Sequence, residues 1–323
     1  MTKPTLRSEL TEHVATAVDI LGPIAERDVP LAPLTTYRVG GSTAVMARPR
    51  NVDDLLLVSD AMNATGLPVV IVGRGSNMLV ADDGFPGIAV SLAEMAADHR
   101  VDDTRVVAGA MAALPQLARQ LASASLTGFE WAVGVPGSVG GAVRMNAGGH
   151  GSDMAACLVA VTLVDLREHA VAAVPASRLG LRFRGSDIAN HQVVVDATIQ
   201  LAHGDRDASE REVAEIVRWR REHQPGGQNC GSVFVNPIPH ALSAGELIDR
   251  VGLRGLTLRT ASVSTKHANF IQGSDGGRAA DVLELIELVR TRVADETGHV
   301  LRSEVRLVGF AGVTIDDECG VLL

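Results

Sequence analysis

The residues that first suggest chemistry in this chain are glycines. Seven of them fall between Gly134 and Gly151, in the run Gly-Val-Pro-Gly-Ser-Val-Gly-Gly-Ala-Val-Arg-Met-Asn-Ala-Gly-Gly-His-Gly. Val135, Val139, Val143 and Met145 interrupt them where a flexible linker would carry Ser and more glycine, so the run reads as packed. Packed backbone this rich in glycine lets something large approach closely, because no Cβ stands in the way. That something is either neighbouring backbone or a bound cofactor. Pro136-Gly137 sets a turn, Ser138 follows it, and Gly140-Gly141 permits close contact. A second glycine loop, Gly73-Arg74-Gly75-Ser76-Asn77, follows an apolar strand. Consecutive amides in such a turn form a nest for phosphate, and Ser76 and Asn77 add side-chain donors. Alone, the Gly73–Asn77 loop is better read as a tight turn, and the longer run equally well as a glycine-rich turn beside a sheet. Two in one chain could hold the two ends of a long cofactor, diphosphate on one and ring system on the other.

The Gly73–Asn77 loop does not read as a Rossmann dinucleotide site. Met78 stands where G-x-G-x-x-G needs its last glycine, and Met78–Gly84 reads as strand and turn, not as helix. A Gly-Lys-Ser/Thr phosphate loop is absent too. The three cysteines, Cys157, Cys230 and Cys319, are odd in number and far apart, and no His-x-x-x-His occurs, so neither a disulfide framework nor a metal is expected. Net charge of −9 and 3% aromatic residues disfavour nucleic acid and anionic membrane as general partners, and no protein partner is inferred. The charged start has no apolar stretch of the signal-peptide kind and no apolar run is long enough to span a membrane, so a cytoplasmic location is expected.

These loops need elements to position them. Residues 1–30 read as a leader with a short helix. Asn51 caps a helix over about 52–65 that Gly66 ends, and Pro68–Gly73 reads as a buried strand. Leu114, Leu117 and Leu121 share a helical face; Val159–Leu166 and Val193–Leu201 read as strands, with an irregular, arginine-bearing stretch over 178–190 between them. Ser209-Glu-Arg-Glu212 has capping-box spacing and opens a helix to about His223. Ala244–Val251 is a short helix. Val282, Leu285, Ile286, Val289 and Val293 make an amphipathic stripe, and Glu304–Gly309 reads as a last strand. The class is α+β.

Ordered along the chain, several segments together carry a resemblance. They are Pro30–Gly41 (PLAPLTTYRVGG), Val72–Val80 (VGRGSNMLV), Gly134–Ala142 (GVPGSVGGA), Met145–Gly148 (MNAG), Gly231–Phe234 (GSVF) with Asn236-Pro237, Ala244–Ile248 (AGELI), Gly252–Gly255 (GLRG), Lys266–Phe270 (KHANF) and Glu304–Gly309 (EVRLVG). The chain resembles the UDP-N-acetylenolpyruvoylglucosamine reductase (MurB) family, in its shorter type without the tyrosine-loop insertion. The resemblance implies an FAD-binding fold of the vanillyl-alcohol oxidase (PCMH) type in two subdomains, over 1–95 and 96–205. It also implies a C-terminal α+β substrate domain over 206–303, a strand from about 304 returning to the first subdomain, and a tail over 311–323. It implies FAD held by Gly73, Arg74, Gly75, Ser76, Asn77, Pro136, Gly137, Ser138, Gly140, Gly141 and Asn146, with NADPH as co-substrate. UDP-N-acetylglucosamine enolpyruvate would be reduced to UDP-N-acetylmuramate.

By the same resemblance Ser232 is the proton donor, Arg184 stabilises the enolate, Glu304 is the active-site glutamate, and Asn236, Lys266, His267 and Asn269 line the UDP-sugar site. Read without it, Gly231-Ser232 is a turn pair, Arg184 a solvated charge and Glu304 an outward strand residue. Cys230 invites a nucleophile reading, but no His or Asn/Asp partner is legible. The chain departs from the family at Phe183, Val235, Arg144 and Gly149-His150. Two alternatives stay open: another FAD oxidoreductase on the same scaffold, or a non-catalytic flavin or UDP-sugar binding protein.

Overall fold

A computed structural model describes residues 6–239 and 241–310. The chain packs as two units, and each gathers discontinuous segments. The first contains residues up to Val29, Thr43–Arg74 and Pro86–Val217; the second contains Pro30–Ser42, Gly75–Phe85 and the chain from Arg218 onward. The tail over 311–323, with Cys319, lies outside the described residues.

The first unit holds helices α1 (Leu6–Leu21), α2 (Val52–Thr65), α3 (Leu114–Ser123), α4 (Val139–Met145) and most of α5 (Arg206–His223). Its larger sheet has five antiparallel strands, in the order 170–175, 158–165, 192–200, 105–109, 99–102. A second sheet orders 25–30, 42–47, 85–91 and 69–72, the last two strands being parallel. Asn51 caps α2 as its sequence suggests, its Oδ1 accepting from the Asp54 amide at 2.9 Å.

The two FAD-binding subdomains expected over 1–95 and 96–205 share a core within the first unit. Val164, Leu166 and Val193 of the large sheet share one core with Leu21, Leu55, Val58 and Ala61. Ser59 Oγ also donates to the Leu166 carbonyl at 2.6 Å.

The second unit holds α6 (Ala244–Arg250), α7 (Ala279–Thr297), a three-stranded antiparallel sheet (257–258, 261–263, 271–273), and a parallel pair of strands at 78–80 and 306–308. The stripe Val282, Leu285, Ile286, Val289 and Val293 is buried, as its spacing predicts. Three tethers draw the early segments into this unit. Strand 306–308 pairs with 78–80. Tyr37 Oη donates to the Ile271 carbonyl at 3.1 Å. Asp82 accepts from the Ala279 and Ala280 amides at 2.8 and 3.1 Å, satisfying donors that the first turn of α7 leaves open.

Two local expectations need correction. Helix α5 starts at Arg206, where Asp205 Oδ1 accepts from the Ala208 amide at 2.7 Å. Ser209 is therefore inside the helix, and its hydroxyl turns to the buried Glu130 carboxylate at 2.6 Å instead of capping. The capping box occurs at Ser243 and Glu246, opening α6. The glycine-rich run, read as a turn, contains the short helix α4. Its glycines are tolerated because Gly140 lies against Ala110, where a Cβ would come within 3.0 Å of the Ala110 Cβ.

Candidate active site

The glycines of the run face different surroundings. Gly140 and Gly148 meet protein: Ala110 faces the first, and Asp153 and Ser152 face the second. Gly141 differs. It is exposed, and a Cβ there would find only Ser138 Oγ, at 3.7 Å. Ser138 begins α4 without a capping bond from its side chain, and its hydroxyl also lies 3.3 Å from where a Cβ of Gly73 would be. The first glycine loop and the second therefore meet at Gly73 and Ser138, within one unit. Pro136 and Arg74 are exposed beside them. Gly137 is used by the fold, its carbonyl accepting from the Leu114 amide at 3.1 Å.

The chain leaves the first unit in the middle of this loop, after Arg74. Gly75 adopts a φ of +60° and sits so close to Leu34 that a Cβ would fall 1.9 Å from its carbonyl oxygen. The Gly75 carbonyl accepts from the Thr36 amide at 3.1 Å. The Thr36 Oγ1 is buried and has no hydrogen-bond partner among the described residues. Ser76 and Asn77 are half-buried; Asn77 Nδ2 donates to the Glu304 carbonyl at 2.8 Å and its own carbonyl accepts from the Arg306 amide at 3.0 Å. Asn77 therefore fixes the backbone at Glu304. Within the first unit, an uncovered glycine face at Gly141 and a serine hydroxyl where the two loops meet fit a large phosphate-bearing cofactor.

Asn146, a cofactor contact by the resemblance, also holds the fold through its side chain. It is buried, at a φ of +39°, and its side chain is committed to protein. Nδ2 donates to Asp153 Oδ2 at 3.0 Å and to the Arg182 carbonyl at 3.1 Å, while Oδ1 accepts from the Ala155 amide at 2.8 Å. It ties the end of α4 to the turn that carries Arg184. That turn runs from Arg182 to Gly185, closed by amide–carbonyl bonds of 2.9 and 3.0 Å in both directions. Ser186 Oγ secures it to the Arg144 carbonyl at 2.7 Å. Arg184 occupies the left-handed region at φ +59°, which costs a non-glycine residue about 1–2 kcal/mol. Its guanidinium lies 4.9 Å from the centre of the Phe183 ring. A strained, doubly anchored turn presenting an arginine is the kind of backbone found at functional sites.

Ser232 and Glu304 lie in the second unit with Asn77. Their segments run antiparallel: the Glu304 amide donates to the Val233 carbonyl at 2.7 Å, and the Val235 amide to the Arg302 carbonyl at 2.9 Å. Ser232 is half-buried at the start of this pairing. Cys230 and Tyr37 are both buried in the core of this unit. Burial pushes the Cys230 thiol up to about 12, with the Glu304 charge adding to the rise. It stays a thiol, which removes the nucleophile reading. Tyr37 is the chain's one tyrosine, and its position in Thr35-Thr36-Tyr37-Arg38 was the sequence signal for this buried support.

The four residues expected to line the sugar site are largely engaged with the scaffold. Asn236 Oδ1 accepts from the Ala244 amide at 3.1 Å, where α6 begins. Lys266 Nζ donates to the Arg221 carbonyl. His267 is half-buried, with its ring centre 4.8 Å from that of Phe270. Burial pushes its imidazole down from the usual value, the Arg254 and His223 charges add to this, and a hydrogen bond to its own backbone opposes it. Neutral His267 accepts the Asn269 amide proton at Nδ1, at 3.2 Å. Asn269 is buried and bonded to Phe234 on both sides of its amide. Among the described residues no cluster of His, Cys, Asp and Glu suits a metal, and no helix is long and apolar enough to cross a membrane.

Comparison with known proteins agrees with this geometry. The C-terminal domain of UDP-N-acetylenolpyruvoylglucosamine reductase matches residues 223–308, and an FAD-binding domain matches residues 43–172. A UDP-N-acetylenolpyruvoylglucosamine reductase from Heliobacterium modesticaldum is 41% identical over 289 residues, covering 89% of this chain and 91% of the relative. One from Rubrobacter xylanophilus is 38% identical over 291 residues, covering 90% and 97%. The crystal structure of the MurB reductase from Thermus caldophilus superposes with a TM-score of 0.74 at 34% identity, covering 88% of this chain and 98% of that one. The chain belongs to the UDP-N-acetylenolpyruvoylglucosamine reductase family.

Proposed function

We propose that this chain uses FAD and NADPH to reduce UDP-N-acetylglucosamine enolpyruvate to UDP-N-acetylmuramate, a step of peptidoglycan precursor synthesis carried out in the cytoplasm. The observation that carries the reading is the pairing of the Ser232 and Glu304 segments, fixed by Asn77 from the first glycine loop. Bound FAD supplies the hydride chemistry. Gly73, Arg74, Pro136, Ser138 and Gly141, all in the first unit, would hold it. Gly137 and Gly140 shape that cradle from the protein side.

Reduction across the enolpyruvyl double bond places a hydride on one carbon and a proton on the next. Between these events negative charge builds beside an existing carboxylate. Arg184 answers that charge: a guanidinium stays protonated and grips a carboxylate through two parallel donors. Its anchored turn means it need not reorganise as the charge forms. Ser232 delivers the proton. A serine hydroxyl is a weak acid, but an enolate carbon is a strong base, so placement matters more than acidity. Glu304, the family's active-site glutamate, polarises the region where the enolate forms or acts there when protonated; its backbone is held to the Val233 carbonyl, one residue from Ser232.

Single-turnover kinetics on Ser232→Ala test the assignment. Bleaching of the flavin by NADPH should proceed as in the parent protein, while reoxidation by the enolpyruvyl substrate should slow by about 10²–10⁴-fold. Fast reoxidation of the variant would show that Ser232 is not the proton donor.

A further inference from the structure

We propose that Asn269 is a positioning residue for the Ser232 proton donor, acting as a substitute strand partner for the segment that carries it; this rests on the functional reading above. The side-chain amide of Asn269 pairs with the Phe234 peptide on both edges, Oδ1 accepting from the Phe234 amide at 2.9 Å and Nδ2 donating to its carbonyl at 2.8 Å. Only one orientation of the side-chain amide satisfies both bonds, so its oxygen and nitrogen are assigned by the network. The Asn269 main-chain carbonyl accepts from the Val233 amide at 2.9 Å. One residue therefore makes three of the hydrogen bonds that hold Val233-Phe234.

The opposite edge of the same segment is held by the 302–304 strand. The Glu304 and Val235 amides bond across it, as described above, and Ser303 Oγ lies 3.5 Å from the Val233 carbonyl. Val233 and Phe234 are fully buried, and Asn269 is 3% exposed. Water is excluded from these positions, so a lost partner is not replaced by solvent. Ser232 is the first residue outside this grip, and it is half-buried rather than enclosed. Its hydroxyl is placed by the peptide that follows it, because no hydrogen bond of its own side chain supplies that placement among those described. Asn269 is held in turn by the neutral His267 ring through its amide. The Lys266–Phe270 segment thus works as a brace for the donor.

The test uses the flavin-loaded protein with Asn269→Leu, which keeps the volume and removes both side-chain bonds, and Asn269→Asp, which keeps the acceptor and removes the donor. Flavin reduction by NADPH should stay within about twofold of the parent. Reoxidation by the enolpyruvyl substrate should fall by up to about a hundredfold, the scale expected when a reacting group is displaced by about an ångström. The loss should appear in kcat with little change in KM, and the solvent deuterium effect on reoxidation should grow as proton delivery becomes limiting. Unchanged reoxidation, or equal loss in both half-reactions without a larger isotope effect, would overturn the proposal. If Asn269→Leu does not fold, Asn269→Asp decides on the same readouts. If the parent is not reoxidised by this substrate, the functional reading fails. The brace is then judged by hydrogen exchange at the Phe234 amide in the parent and in Asn269→Asp. Faster exchange in the variant supports the brace, and equal exchange overturns it.

Discussion

Gly75 and Gly141 show that residues of the same type in similar motifs have different reasons to be there. At Gly75 the backbone is left-handed and Leu34 occupies the space a side chain would need. Gly75→Ala should therefore destabilise the protein well beyond the ~1 kcal/mol of an ordinary glycine substitution, measured as a lowered melting midpoint with or without flavin. Gly141 lies in α4 with open space beside it. Gly141→Ala should stabilise the flavin-free protein by up to about 1 kcal/mol, since alanine is the better helix former. It should also weaken FAD retention, because the new methyl enters the face assigned to the cofactor. Equal flavin affinity in parent and variant would remove Gly141 from the site. The glycine spacing announced that something approaches the backbone, but it could not separate these cases. Whether a glycine faces protein or open space depends on Leu34, Ala110 and Ser138, which come from elsewhere in the sequence. Asn146 and Asn269 show the same limit, since their side-chain amides are engaged with protein groups that the motif does not reveal.

At the level of elements, periodicity and capping were informative where they were local. The Asn51 cap, the Leu114–Leu121 face and the α7 stripe all rest on neighbours within a few turns, and each is found as its spacing suggests. Ser209 fails as a cap because a distant carboxylate competes for its hydroxyl. That carboxylate, Glu130, is 5% exposed and accepts from Ser209 Oγ at 2.6 Å and from the Gly128 amide at 2.7 Å. Burial alone would push its carboxyl up. The hydrogen bonds from Ser209, its own amide, Thr127 and Gly128 together outweigh this and hold it below the ordinary glutamate value. A depressed folded value means the stabilisation is full above the unfolded value, about 4.3, and is lost as pH falls through the folded one. Glu130→Gln should therefore cost about 1–3 kcal/mol at neutral pH, where it replaces a charge-assisted bond, and less in acid. Melting midpoints of parent and variant should converge as pH drops below 4.3; a gap independent of pH would show that Glu130 is not held ionised.

Over the whole molecule, the ordered segments revealed the chemistry more fully than the architecture. Family membership follows from residues spread over nearly nine-tenths of the chain. The division into units does not run along the chain in the same way. Segments 30–42 and 75–85 belong with the C-terminal part because Tyr37, strand 78–80 and Asp82 find their partners at Ile271, strand 306–308 and the first turn of α7. Such long-range pairings are set by tertiary contacts that no local pattern records.

The reaction itself is checked on purified protein. Reconstituted with FAD, it should be yellow, and NADPH should bleach it. Adding UDP-N-acetylglucosamine enolpyruvate should restore the colour and yield a product heavier by one hydride and one proton. A protein that cannot hold FAD, or a reduced flavin that this substrate leaves bleached, would contradict the account.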